Sequence, residues 1–201
     1  MTTAWLTEAT DELRRNPEMA KRHPNGFYKV TLPSQDGHVR RIHVWTPESS
    51  AEAEESNVHG HCWPFVSKVL TGCLLEDLYM VGPGNDHSEH SFEDNGTPLR
   101  YVRKVGLVHV GTDRHDAGNV YQRSPFALHR VKPWREDCLT VSAVIHSVLR
   151  TREASVFVKH GKSVEADPRK LVAREVALLR DVLQRTSQEV TALDGSGSDT
   201  P

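Results

Sequence analysis

The chain has 201 residues, with 25 Lys+Arg against 27 Asp+Glu, a formal net charge of −2, 37% hydrophobic and 26% charged residues. That length suits one domain with short extensions around a single core. The balanced charge argues against the basic patch or stripe of a nucleic-acid-binding surface, and no apolar stretch approaches a membrane span.

Residues 4–22 read as a short helix carrying Trp5, Leu6, Leu13 and Met19, ended by His23-Pro24-Asn25-Gly26. A hairpin follows, with strands Phe27–Leu32 and Val39–Trp45 around the turn Gln35-Asp36-Gly37. Residues 47–56 form an acidic loop, and Val66–Val81 supplies two strands around Thr71-Gly72. Residues 82–98, rich in Gly, Asn, Asp, Ser and Pro, read as a long exposed loop holding His87 and His90. Strands resume over Leu99–Val110. Residues 111–119 are a polar connection that places His115 at the surface. Val120–Gln122, Ala127–Val131, Leu139–Leu149 and Ser155–Val158 complete the set. Many short strands at close spacing predict a mainly β sandwich or barrel.

Asp167-Pro168 then opens a helix, Asp as cap and Pro at the first position. Its apolar stripe, Leu171, Val172, Val176, Leu179, Val182 and Leu183, should pack on the outside of the barrel or on a partner chain. After about residue 190 the chain is too polar to pack and is expected to be disordered. The organisation expected is an N-terminal helical extension (1–24), a β-barrel (25–160), a C-terminal helix (165–188) and a tail (190–201).

The strongest chemical signal is Asn57-Val58-His59-Gly60-His61, followed by an apolar, β-branched run and a turn glycine at Gly72. Histidines at i and i+2 on a strand face the same way, and neutral imidazole is a common ligand for zinc, iron, copper and nickel. A metal site that does chemistry needs a third protein ligand and an open position. His129, in Leu128-His129-Arg130-Val131, is the candidate third ligand. Twelve histidines in a chain of this size add weight to the metal reading.

Together, His59-x-His61, the glycine at 72 and Leu128-His129-Arg130-Val131 resemble the cupin superfamily, and within it the thiol dioxygenases of cysteine dioxygenase type, over roughly residues 40–150. The resemblance implies a double-stranded β-helix, or jelly-roll barrel, with ferrous iron held by His59, His61 and His129. Two departures stand out. Phe65 occupies the position of the usual cupin Glu, so a fourth carboxylate ligand is not expected there. Of the family's Ser-x-His-x-Tyr element only His146 is kept, in Val144-Ile145-His146-Ser147-Val148.

The remaining site candidates follow from residue chemistry. His146 is a candidate hydrogen-bond or proton-transfer group near the metal. Arg40 and Arg41 alternate faces, so one of them, with Arg41 preferred, can meet a substrate carboxylate through its guanidinium. Arg130, next to His129, should face the other way. Trp63, Phe65 and Ser67 share parity with His59 and His61 and should line the pocket, with Tyr121 near its entrance. His43 and His109 are pocket residues or replacement ligands.

The function expected is that of a mononuclear non-haem iron dioxygenase acting with dioxygen on a small polar metabolite of thiol or amine type. The alternatives are a zinc cupin catalysing a non-oxidative rearrangement or isomerisation, and a non-catalytic small-molecule-binding barrel. Cys62, Cys73 and Cys138 show no CxxC spacing, which predicts free thiols in a reducing compartment. With no signal peptide evident at Met1-Thr2-Thr3-Ala4-Trp5, a cytoplasmic location is expected. No nucleic-acid or membrane partner is expected, and a homodimer through an edge strand or the C-terminal helix is compatible.

Overall fold

The computed structural model describes residues 2–51, 58–92, 98–148, 153–162 and 168–195. Helix α1 (Thr2–Arg15) places Leu6, Ala9 and Leu13 on one buried face. It stops before residue 22 because Pro17 disfavours helical backbone at Asn16. Residues 17–19 make one 3-10 turn, and β1 (Ala20–His23) pairs antiparallel with β2 (Phe27–Gln35). The chain continues through β3 (His38–Trp45), α2 (Pro47–Ala51), β4 (Val58–Gly60), β5 (Phe65–Thr71), β6 (Cys73–Phe92) and β7 (Arg100–Asp116). It then forms β8 (Val120–Arg123), β9 (Leu128–Pro133), β10 (Thr140–Ser147), β11 (Ala154–Lys159), β12 (Arg169–Lys170) and α3 (Ala173–Gly195).

The strands make two antiparallel sheets, a seven-stranded one ordered β12-β1-β2-β3-β10-β5-β8 and a five-stranded one ordered β11-β4-β9-β6-β7. Strands distant in sequence, such as β3, β10 and β5, lie side by side, as in a jelly roll. The expected mainly β fold is therefore present. Gly72 sits between β5 and β6 at φ +76, a backbone angle that disfavours a Cβ, and a Cβ there would overlap Thr140.

The seven-stranded sheet is covered on both faces. On its outer face Tyr28, Val30, Ile42 and Val44 pack against Leu6 and Leu13 of α1 and Leu179 and Leu183 of α3. Burying each such leucine contributes about 1.5–3 kcal/mol. The C-terminal helix thus lies on its own barrel, though not over the span expected. It begins at Ala173, beyond Pro168, and continues to Gly195, so residues 190–195 are helical rather than tail; Asp167 and residues 196–201 lie outside the described residues. Its start is fixed by Glu175, which accepts the Val172 N–H at 2.9 Å in the manner of a capping box. Glu175 also pairs with Arg169 at 2.6 Å and Arg22 at 3.7 Å, tying helix to sheet.

Residues 82–92 are strand, not loop, and so are residues 111–116. β6 pairs with β7 on one edge and is long enough to serve two neighbours on the other: Leu74–Tyr79 pair with β9, and His87–Phe92 pair with β11. Between these halves the ladder skips from Gly82 to His87. The folded-back arm encloses a small core of Val58, Val105 and Phe157. Sequence periodicity misses this because the arm's polar residues alternate against another strand rather than against a deep core. At the bend, a Cβ on Gly106 would overlap the Pro83 carbonyl and approach Gly84 Cα. Among the described residues no helix is long and apolar enough to cross a membrane.

Two outcomes are expected. Gly106→Ala should lower stability by about 1–3 kcal/mol or more, read by urea unfolding, because backbone rather than a flexible side chain must move. Hydrogen bonding from Arg169 lowers the Glu175 pKa to about 2 against the cost of its burial. A depressed carboxylate stabilises the fold above its ordinary pKa, and that stability is lost as pH falls toward 2. Glu175→Gln should therefore flatten the acid limb of Tm measured from pH 5 to pH 2.

Candidate metal centre

The five-stranded sheet brings the three predicted histidines together. His59 stands on β4 and pairs in register with His129 on β9, while His61 follows β4 directly. Their ligand atoms all lie within 4.8 Å of one another, and His61 Nε2 is 2.9 Å from His129 Nε2. Two nitrogens each about 2.1 Å from one ion and at right angles to each other stand about 3.0 Å apart, so this pair is spaced for a shared ion. Burial pushes the His61 pKa well below its ordinary value, with the neighbouring His59 and His129 acting in the same direction. The imidazole is therefore neutral, the form that binds metal.

A residue the sequence reading did not select completes the centre. Glu76 on β6 is fully buried and accepts from His129 Nδ1 at 2.5 Å. The carboxylate holds the proton on Nδ1 and leaves Nε2 as a lone pair, the arrangement found behind metal-ligating histidines. Glu76 also bonds His115 Nε2 at 2.9 Å and Arg123 Nη2 at 2.5 Å. Burial opposes its charge, but the bonds from His129, Arg123 and His115 win and lower its pKa to about 2. His115, expected at the surface, is buried here because β7 runs through to Asp116. Glu76, Asp113 and His115 also lie close enough together to hold an ion, but the Arg123 guanidinium sits between the two carboxylates, 2.5 Å from each, and fills that role. The signal for Glu76 was its parity: it shares the face of Leu74 and Leu78 on β6.

The walls follow the predicted parity. Trp63 stacks on His61 with ring centroids 4.7 Å apart and on His146 at 3.6 Å, and Phe65 packs edge-on to His61. His146 Nδ1 donates to the Ser147 carbonyl at 2.8 Å, which leaves Nε2 a buried acceptor without a partner among the described residues. Burial, helped by Arg41, lowers its pKa to about 4. His146 is thus suited to accepting a hydrogen bond rather than carrying a proton near neutrality.

Arg41 lies over Trp63, its guanidinium carbon 5.1 Å from the ring, on the inner face of β3. Arg40 faces outward to Glu8 of α1 at 2.7 Å. Tyr121 stacks on His115 at 3.9 Å, and burial pushes its pKa up to about 12, so it is a neutral wall beside the Glu76 network. Arg130 pairs with Asp77, away from His129, as expected. His43 is on the inner face beside Phe27 and Trp45, whereas His109 is outside, bonded to Thr112. His87 and His90 are half-buried on β6 opposite β11, not in a loop. Neither belongs to the centre.

No protein-family model and no curated protein matches the chain. Solved structures resemble it at low identity. An oxalate oxidase shares 14% identity over 85% of this chain and 75% of its own, with TM-score 0.40. An RmlC-like cupin from Shewanella frigidimarina shares 13% over 65% and 84%, with TM-score 0.34. Fe(II) HppE shares 9% over 60% of this chain, which spans 49% of the HppE chain, with TM-score 0.34. The chemistry of the centre rests on its own residues.

Glu76→Gln keeps an acceptor in place but removes the charge facing His129. Metal affinity, measured by chelator competition, should fall about 10–100-fold while the far-ultraviolet spectrum stays that of the wild type.

Proposed function

We propose that the chain is a metal-dependent enzyme of cupin type, and specifically a mononuclear non-haem iron dioxygenase acting on a small polar metabolite bearing a thiol or amine. The observation that carries this reading is the convergence of three imidazoles, one of them oriented by a buried carboxylate. The His-x-His and Leu-His-Arg-Val motifs that resemble the thiol dioxygenases lie at these same positions. Three histidine ligands, with no carboxylate ligand among the described residues, distinguish the centre from the two-His-one-carboxylate arrangement. Bound there, a ferrous ion would supply an electrophilic centre with open positions for an anionic substrate group and for dioxygen.

The protein's own residues do the rest. His59, His61 and His129 would hold the ion, and Glu76 fixes the ring of His129. Trp63 and Phe65 exclude water from the side facing the seven-stranded sheet. Arg41 offers a guanidinium to a substrate carboxylate, and His146 Nε2 accepts a hydrogen bond from the substrate. Tyr121 buttresses the wall next to the Glu76 network.

Metal analysis of the purified protein beside His59→Ala and His129→Ala, followed by oxygen-electrode runs after anaerobic ferrous reconstitution, tests the reading. Near-stoichiometric iron that is lost in both variants, with oxygen uptake on adding thiol or amine candidates, is the expected outcome. Tight zinc without oxygen uptake would replace it with the non-oxidative enzyme. A wild type that takes up no metal would leave a binding barrel.

A further inference from the structure

Phe65 and Trp63 both touch His61, and the fold holds them in different ways. Phe65 is 6% exposed and lies in β5, paired with Arg123 of β8 on one side and His146 of β10 on the other. Two ladders fix it. Trp63 lies in the irregular segment between β4 and β5 and is partly exposed. A side chain on such a connection can turn without breaking a ladder.

The place of the indole follows from its contacts. It stacks on His61 with centroids 4.7 Å apart and an interplanar angle of 23°. It stacks on His146 at 3.6 Å and 9°. The three rings are therefore close to parallel. Parallel rings need about 3.5 Å of vertical spacing, so both imidazoles on one face of the indole would overlap each other. They lie on opposite faces, and Trp63 is the middle ring of three.

This order divides the site. On one side of the indole is His61, with the ligand atoms of His59 and His129. On the other side is His146, which is 4% exposed and whose Nε2 has no hydrogen-bond partner among the described residues. Buried polar atoms are nearly always paired, so an unused acceptor in this position calls for a ligand or ordered water. A group bound at the metal reaches that acceptor only past the indole. Of the two aromatic rings on His61, the one in the way is also the one outside the ladders.

We propose that Trp63 is a specificity-determining gate between the metal centre and His146. A substrate confined to the metal side leaves the indole in its stack. A longer substrate, whose far end donates a hydrogen bond to His146 Nε2, turns the indole out and takes its place between the two histidines. The substrate class is thus a metabolite with a metal-binding group at one end and a hydroxyl or amine donor at the other, joined by a chain that spans two ring stacks. Selection is by length and by the donor together, because only a ligand that supplies both offsets the lost stacking. This deepens the proposed function and rests on it for the metal-binding end.

The test uses the zinc-reconstituted full chain under argon, with metal content measured on every sample. The probes are mercaptoethanol, mercaptohexanol and hexanethiol. Affinity is read by isothermal calorimetry. Trp63 emission is read as the difference between wild type and Trp63→Phe, since the chain has four tryptophans. Mercaptohexanol should change the Trp63 emission and raise its quenching by acrylamide, whereas mercaptoethanol should bind and leave both unchanged. Trp63→Ala should bind mercaptohexanol about tenfold more tightly, the size expected when two ring stacks no longer have to be broken, with mercaptoethanol unchanged. Trp63→Phe, which keeps a smaller ring, should fall between. In His146→Ala, mercaptohexanol should lose its advantage over hexanethiol. Equal emission changes with both hydroxythiols, no change with either, or a gain in Trp63→Ala that mercaptoethanol shares would overturn the gate and leave the metal centre standing. A wild type that takes up no metal would overturn the metal reading and the gate together.

Discussion

The structure turns on one buried carboxylate. Glu76 has no exposed surface, and an ionised carboxylate so placed costs several kcal/mol unless it is fully paired. It is paired by His129, His115 and Arg123, which come from three different strands, β9, β7 and β8. These bonds have to form together. The same set that satisfies the charge also joins β8, at the edge of the seven-stranded sheet, to β6, β7 and β9 of the other sheet, and aims His129 toward His59 and His61. Stability and site geometry are therefore one constraint rather than two.

A polar interior is affordable because the apolar burial lies elsewhere. The largest hydrophobic cluster is not between the sheets but between the seven-stranded sheet and the layer of α1 and α3. With that face packed, the inner face can carry Lys29, Arg41, His43, Ser142 and His146 in place of aliphatic side chains. Phe27, Trp45, Val69 and Leu74 close one part of the barrel, and the folded arm of β6 and β7 adds a third cluster outside the five-stranded sheet. Three modest cores do the work that one central core does in an all-apolar sandwich.

The histidine pair was legible because strand alternation is local: His59 and His61 must share a face whatever the rest of the chain does. Trp63 and Phe65 followed from the same parity, and both line the centre. His115 was misplaced because the polar run around it reads as a connection, whereas β6 holds it in register by pairing Leu74 with His115. Residues 82–92 were misread for the same reason, since their partner β11 lies more than sixty residues on. The helix boundaries at Arg15 and Ala173 turned on Pro17 and on the Glu175 cap, both visible in sequence but outweighed there by the wider pattern.

The sequence by itself determined the mainly β class, the strand pairs joined by short turns, the apolar stripe of α3 and the choice of the three imidazoles that converge. Each depends on periodicity or on residue chemistry within a few positions. Only the tertiary structure decided that Glu76 stands behind His129, that Arg40 serves α1 while Arg41 faces the site, and that His146 lies behind Trp63. Those relations join residues separated by tens of positions through strand register. Register is set by how whole sheets bury their faces, a sum over the entire chain that no local window contains.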